Sequence, residues 1–274
     1  MTLKNSDTID IDGNTQSNLD TKGFALFNID FKVIDKLASY ISEILEAKKI
    51  KEHYSGLCYS LMLFNSIENR VISSQLRSIL KTAVNKAYPG FSIYCCSFII
   101  KPQTDQTLSF HQDWNYASAN DHPTYTVWIP LSSVNMNNGA LKIIENSQTI
   151  NNNNYSGSLN AIRVENVSDF ITINMEKGEG IAFNPLLFHG SHKNEGGLRI
   201  AVTFILKPKG QPLKYFHKLN ESQVQVYEIN EDVFFTQLKD LSKGLAPLEC
   251  KLLETTNYKH SDSIDLTFFQ NIKD

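Results

Sequence analysis

The sequence predicts a mainly β protein with flanking helices, and three observations carry that prediction. Short stretches rich in β-branched and aromatic residues follow one another at Ser92–Lys101, Tyr125–Leu131, Ala140–Ile144, Phe170–Asn174, Gly180–Phe183 and Leu198–Leu206. Clusters of Gly, Pro, Asn and Ser separate them, as turns require. No helical period lies between them, which argues for an antiparallel sandwich or barrel and against a parallel α/β sheet.

The elements follow in order. Residues 1–22 read as a polar, flexible tail with Asp-Gly and Asn-Thr turn signals. A single domain then spans 23–274, with a helical brace over 23–90, a β core over 91–208 and a C-terminal segment over 209–274. Gly23-Phe24-Ala25-Leu26-Phe27 is a short strand, after which Asp30 can cap a helix. Val33, Ile34, Leu37, Ile41, Ile44 and Leu45 form its apolar stripe. A second helix between Arg70 and Ala87 buries Ile72, Leu76, Ile79, Leu80 and Ala83, and Pro89-Gly90 ends it. Asn151–Asn154 is a surface loop. Beyond Pro208-Lys209-Gly210 the pattern is mixed, except that Asn230 can cap a helix carrying Val233, Phe234, Leu238 and Leu241, ended by Gly244.

Composition narrows the class of function. The 274 residues are 41% hydrophobic and 11% aromatic, a globular balance. Lys plus Arg (26) nearly matches Asp plus Glu (29), which argues against nucleic acid as a partner. No apolar run nears the roughly 20 residues that cross a bilayer, and the polar start MTLKNSDTIDIDGN is not a secretion signal. The cysteines Cys58, Cys95, Cys96 and Cys250 form no CxxC pair. The expectation is a soluble, reduced, cytoplasmic protein that acts on a small molecule, with its oligomeric state unspecified.

Among the 7 histidines, His111 stands out, in Ser109-Phe110-His111-Gln112-Asp113-Trp114. Alternate side chains of an extended segment share a face, so His111 and Asp113 can hold two adjacent positions of one metal. A third ligand completes a 2-His-1-carboxylate facial triad, and His189 in Leu187-Phe188-His189-Gly190-Ser191 is the best candidate. The turn-rich stretch from Gly190 leads into the strand Leu198–Leu206. A hairpin there sets Arg199 across from His189, on one face with Ala201 and Thr203. A guanidinium beside small side chains suits a carboxylate ligand in a cavity.

From Ser92 to Lys207 the chain resembles the phytanoyl-CoA dioxygenase family of iron(II)/2-oxoglutarate oxygenases. His111-Gln112-Asp113, Val127-Trp128-Ile129-Pro130-Leu131, Asn137-Asn138-Gly139-Ala140-Leu141 and His189-Gly190-Ser191 with Arg199 carry the resemblance. It implies a double-stranded β-helix (jelly-roll, cupin-like) core with iron(II) in the barrel mouth. His111, Asp113 and His189 match the iron ligands, Arg199 the arginine on the distal carboxylate of 2-oxoglutarate, and Ser191 the hydroxyl beside it. Trp128 matches a tryptophan of the cosubstrate pocket. Gln112 matches a glutamine near cosubstrate, although strict alternation turns it away from the iron. Thr126 joins the set because it shares Trp128's face. Relatives that halogenate carry a small residue where Asp113 stands, so the implied outcome is hydroxylation or another oxidation by dioxygen, with release of succinate and carbon dioxide.

Glu145-Asn146-Ser147-Gln148 departs from the family's usual Gly-Ser-His-like segment and is expected near the rim. Trp114, Tyr116 and His122 are candidates for the substrate side. His192 lies in a Gly-rich turn and reads as solvated, and His53, His217 and His260 carry no spacing signal. Ser97 and Lys101 share a strand face that can border the cosubstrate. Asn115–Thr124, the Asn-rich loop and the segment from Gly210 are lid candidates, and Asn115, Asn120, Asp121 and His122 hint at a polar substrate. Two other readings compete: a cupin-type non-redox zinc or manganese enzyme with the same three ligands, and a non-catalytic binding module on the same barrel.

Overall fold

The computed structural model describes residues 9–10, 15–50, 56–118, 121–150, 163–165, 167, 169–258 and 263–265. The chain opens with β1 (Ile9–Asp10), α1 (Thr15–Thr21), β2 (Phe24–Ile29), α2 (Phe31–Ala47), β3 (Cys58–Tyr59), α3 (Ser60–Leu63) and α4 (Ser66–Ala87). The middle holds β4 (Phe91–Lys101), β5 (Leu108–His111), β6 (Tyr125–Pro130), β7 (Leu141–Ile143), β8 (Arg163–Glu165), β9 (Ile171–Ile173), β10 (Glu179–Phe183) and β11 (His189–Ser191). Then come β12 (Arg199–Pro208), β13 (Leu213–Asn220), β14 (Gln223–Ile229), α5 (Glu231–Leu241), β15 (Lys251–Asn257) and β16 (Ser263–Asp265).

Among the described residues, seven strands form a large sheet in the order β1-β2-β10-β6-β12-β4-β3, and four form a small one, β5-β11-β7-β9. Every pairing within both is antiparallel. One core lies between the sheets, where Ile99, Trp128, Ile181 and Ala201 meet Leu141, Ile143 and Ile173. This is the expected jelly roll. A second core covers the outer face of the large sheet: Val33, Ile34, Leu37 and Ile41 of α2 and Ile72, Leu76 and Leu80 of α4 pack on Phe98, Ile100, Val127, Val202 and Phe204. Period-2 alternation on β12 serves both layers, sending Ala201 inward and Val202 and Phe204 outward. The N-terminal helices therefore brace the barrel.

Local signals fix the helix starts. Asp30 caps α2 by accepting from the Lys32 amide at 2.8 Å. The second helix begins earlier than expected, because Asn65 and Glu68 form a reciprocal capping box.

Several expectations need correction. The tail over 1–22 is not structureless in its second half: Thr15–Thr21 form a helix that buries Leu19, one apolar anchor on a polar segment. The strand β12 does not form a hairpin with β11. It pairs with β4 and β6, so the turn after Ser191 carries the chain from the small sheet to the large one. Asn194 holds that turn, its side-chain amide donating to the Lys101, Pro102 and Gly197 carbonyls at 2.8, 3.1 and 2.8 Å. The mixed segment beyond Gly210 contains a three-stranded sheet, β13-β14-β15. Glu145–Gln148 does not lie at the rim: Ser147 and Gln148 are buried, and the Ser147 hydroxyl accepts from the Phe188 amide at 2.8 Å. The Asn-rich loop Asn151–Asn154, Asn120, His53 and His260 lie outside the described residues.

Candidate active site

The small sheet brings the two histidines together. In the β5–β11 pairing His111 stands directly opposite His189, and the imidazole centroids are 4.3 Å apart. Asp113 follows one extended step beyond β5, its backbone N–H donating to the Pro185 carbonyl at 2.8 Å. Its Oδ1 lies 4.0 Å from His111 Nε2 and 3.6 Å from His189 Nε2. One ligand atom from each of the three falls within 4.8 Å of the others.

The surroundings suit a divalent ion. Each imidazole Nδ1 sits 2.9 Å from a carbonyl two residues upstream, Ser109 O for His111 and Leu187 O for His189. A carbonyl only accepts, so Nδ1 carries the proton and Nε2 keeps its lone pair for a metal. Burial first, then the neighbouring His111, pushes His189 down to about 4, so it stays neutral at physiological pH. Thr126 donates to Asp113 Oδ2 at 2.8 Å, leaving Oδ1 turned toward the histidines. The donor set of two imidazoles and one carboxylate fits iron(II).

An inner cavity of about 60 Å³ extends from this cluster, lined by Tyr59, Ile99, Thr126, Trp128, Ser191, Arg199 and Thr203 among others. Arg199 is only 3% exposed, and its Nε has no hydrogen-bond partner. Its Nη1 donates to the Gly139 carbonyl at 2.6 Å and its guanidinium lies 5.1 Å from the Trp128 ring centre. Burial holds the guanidinium down to about 10, still charged at neutral pH. Behind it Lys101 is 2% exposed and donates to Ser191 Oγ at 2.8 Å and to the His192 carbonyl. Lys101 and Arg199 are register partners across β4 and β12. Neither makes an ion pair among the described residues; Arg199 lines the cavity, and Lys101 stands behind it on the Ser191 hydroxyl. A buried charge without a counter-charge is costly, so the arrangement calls for an anionic ligand.

An outer cavity of about 340 Å³ shares Tyr59, His111, Asp113, Thr126 and Thr203 with the inner one. Trp114 and Tyr116 line it. Gln112 is not brought to the cosubstrate end: its amide donates to the Leu186 carbonyl at 2.6 Å and it borders the outer cavity instead. Alternation away from Asp113 and His111 is the reason. His122 lines neither cavity; it is exposed, its backbone clamped by the Gln211 amide at 3.0 and 2.8 Å. His192 leans on Thr172 at 2.9 Å, on the outer side of the small sheet.

Sequence reasoning missed Tyr59 and the α5 residues Phe234 and Leu238, all of which line the outer cavity. Tyr59 belongs to a two-residue strand with no readable period. Phe234 and Leu238 were legible as one helix face, but nothing local shows what that face covers.

Comparison with known proteins agrees with this fold. EvdO2 from Micromonospora carbonacea var. aurantiaca, complexed with 2-oxoglutarate, matches with a TM-score of 0.52 at 14% identity over 72% of this chain and 91% of its own. The non-heme α-ketoglutarate-dependent carbocyclase SnoK from nogalamycin biosynthesis matches with a TM-score of 0.51 at 13% identity over 91% and 97%. No curated protein matches the sequence. Residues 38–200, more than half of the chain, match the family described as Phytanoyl-CoA dioxygenase (PhyH) and include all three clustered ligands and Arg199. With the jelly roll and the His-Asp-His cluster in place, the chain belongs to the phytanoyl-CoA dioxygenase family of iron(II)- and 2-oxoglutarate-dependent oxygenases.

Proposed function

We propose that the protein hydroxylates a small metabolite, with 2-oxoglutarate and dioxygen as cosubstrates. His111, Asp113 and His189 hold the iron, and Arg199 with Ser191 holds the far carboxylate of 2-oxoglutarate, backed by Lys101. The observation that carries this reading is the buried guanidinium of Arg199, without an ion-pair partner among the described residues, lining the same inner cavity as the His-Asp-His cluster. A buried guanidinium in that cavity suits the far carboxylate of the keto acid.

Iron(II) bound in such a triad supplies the oxidative decarboxylation of 2-oxoglutarate to succinate and carbon dioxide, coupled to oxidation of substrate. The chain supplies the rest. Thr126 orients the Asp113 carboxylate, and the Ser109 and Leu187 carbonyls orient the imidazoles. Trp128, Ile99 and Leu141 wall the inner cavity with apolar surface and exclude water from it. No side chain need act as a general base.

Anaerobic addition of iron(II) and 2-oxoglutarate tests the reading. A visible metal-to-ligand charge-transfer band is expected, and its absence from folded protein overturns the assignment. Tight zinc binding without any response to 2-oxoglutarate favours the cupin-type alternative instead.

A further inference from the structure

We propose that the outer cavity takes an uncharged, ring-bearing, largely hydrocarbon substrate, and that helix α5, which lies beyond the family-matched residues, sets its fit. The inference rests on the oxygenase reading for where the substrate reacts, and on the cavity walls for what it is. Among the described residues, Asp113 is the only Asp, Glu, Lys or Arg that lines this cavity. Its walls are Leu61 and Met62 of α3, Trp114, Tyr116, and Phe234 and Leu238 of α5. Flat aromatic walls set edge to face, such as Tyr116 on Phe234 with centroids 5.4 Å apart, favour a rigid ring over a flexible polar chain.

The charged groups nearest this wall are spent behind it. Arg77 and the Cys95 backbone N–H both bond Glu231, the latter at 2.7 Å, and Arg70 pairs with Asp232 at 2.6 Å. These contacts hold α5 against α4 and the large sheet, so the wall is preformed and its charges face away from the cavity. A phosphate or carboxylate on the substrate therefore finds no counter-charge on these walls. Several hydrogen-bonding side chains remain, among them Ser97 and Gln112. The Tyr59 and Tyr116 hydroxyls make no hydrogen bond among the described residues and border the cavity, where a hydroxyl or carbonyl of the substrate can pair with them. At about 340 Å³ the space lies at the lower end of the roughly 300–1,000 Å³ typical of sites for drug-sized ligands. The polar substrate hinted at by the loop residues is set aside, since His122 is turned away from the cavity and Asp121 pairs with Lys214 at 2.7 Å.

The test titrates N-phenyl-1-naphthylamine, a neutral aromatic probe that fluoresces in apolar sites, into the full chain with iron(II) and 2-oxoglutarate under nitrogen. Saturable one-to-one binding is expected. Leu238→Glu should weaken the probe about tenfold or more, because its carboxylate would be desolvated beside the ring. Leu238→Trp should weaken it similarly by filling the space, with circular dichroism and the charge-transfer band showing that the fold and iron site persist. Coenzyme A at millimolar concentration should not displace the probe. Probe binding that ignores both Leu238 variants, or displacement by coenzyme A, overturns the proposal. Probe binding that responds to Leu238 in a protein lacking the charge-transfer band upholds the cavity's chemistry while overturning the oxygenase reading.

Discussion

At the scale of single residues, the proposed cosubstrate site rests on Arg199, with Lys101 behind it on Ser191. Arg199→Ala should raise the 2-oxoglutarate requirement roughly ten- to a hundredfold, as loss of a charge-assisted bond of about 1.5–3 kcal/mol implies, while iron affinity barely moves. Separate titrations of metal and cosubstrate check this, and equal losses would contradict the assigned role. Lys101 makes a pH-dependent prediction. Burial, then Arg199 and Lys142, hold its ammonium down to about 8, below the roughly 10.4 of an unfolded lysine. Folding thus works against its charge. The penalty is fully present below pH 8 and fades as pH rises toward about 10.4, where both states are neutral. Lys101→Met should therefore stabilise the ligand-free protein at pH 7, and urea titrations at pH 7 and 9.5 should show that advantage shrinking. The same substitution should weaken 2-oxoglutarate binding. Thr126→Val should lower iron affinity about ten- to a hundredfold through a misdirected Asp113, measured by competition with a chelator. The ligand trio was legible because two of its members sit two residues apart on an extended segment. Lys101 was half legible, since alternation put it on the face of Ser97, but no local pattern says that such a face is buried at its far end.

Among elements, the contact between β5 and β11 is the one on which the metal cluster depends. A side chain at Gly190 would place Cβ 2.5 Å from the Leu108 carbonyl oxygen and 3.1 Å from that of Ser109, both rigid backbone. Gly190→Ala should force these strands apart, cost about 1–3 kcal/mol, and abolish iron binding before it abolishes folding. Thermal melts and metal titrations on one preparation check both halves. Gly139, at φ +86°, marks the turn beneath the cations, where an added methyl would press on Lys101 at 3.2 Å. The α5 clamp offers a second test. Glu231→Ala strands the Cys95 amide and Arg77 together, so a loss of about 2–3 kcal/mol in urea unfolding is expected. Cys95 itself has φ +50° at the β4 bulge, where the register with β12 shifts, and the Glu231 carboxylate satisfies the amide that the bulge frees. The strands of the barrel were readable from β-branched runs between turns. The bulge was not, because neither cysteine carries a local signal for left-handed backbone. The strands β13 and β14 were readable in hindsight from the alternation in Gln223-Val224-Gln225-Val226.

For the whole molecule, chemistry and selectivity occupy different parts of the chain. The metal cluster and Arg199 fall within residues 38–200, whereas α5 follows at Glu231–Leu241. The helix pattern there was clear from sequence alone; its docking over the barrel mouth depends on ion pairs to Arg70 and Arg77, some 150 residues upstream, which periodicity cannot reveal. Ligand-induced stability is the global readout of the site. Iron(II) should raise the melting temperature, and 2-oxoglutarate at about a hundred times its dissociation constant should add about 2.7 kcal/mol, an increment missing in Arg199→Ala. The cluster belongs to one sheet and the waiting cations to the other: His111 and His189 lie on β5 and β11, Lys101 and Arg199 on β4 and β12. A dicarboxylate gripped at both ends is thus a rivet through the sandwich. Metal by itself should slow amide exchange mainly in the four-stranded layer, and adding the keto acid should extend that protection to its seven-stranded counterpart.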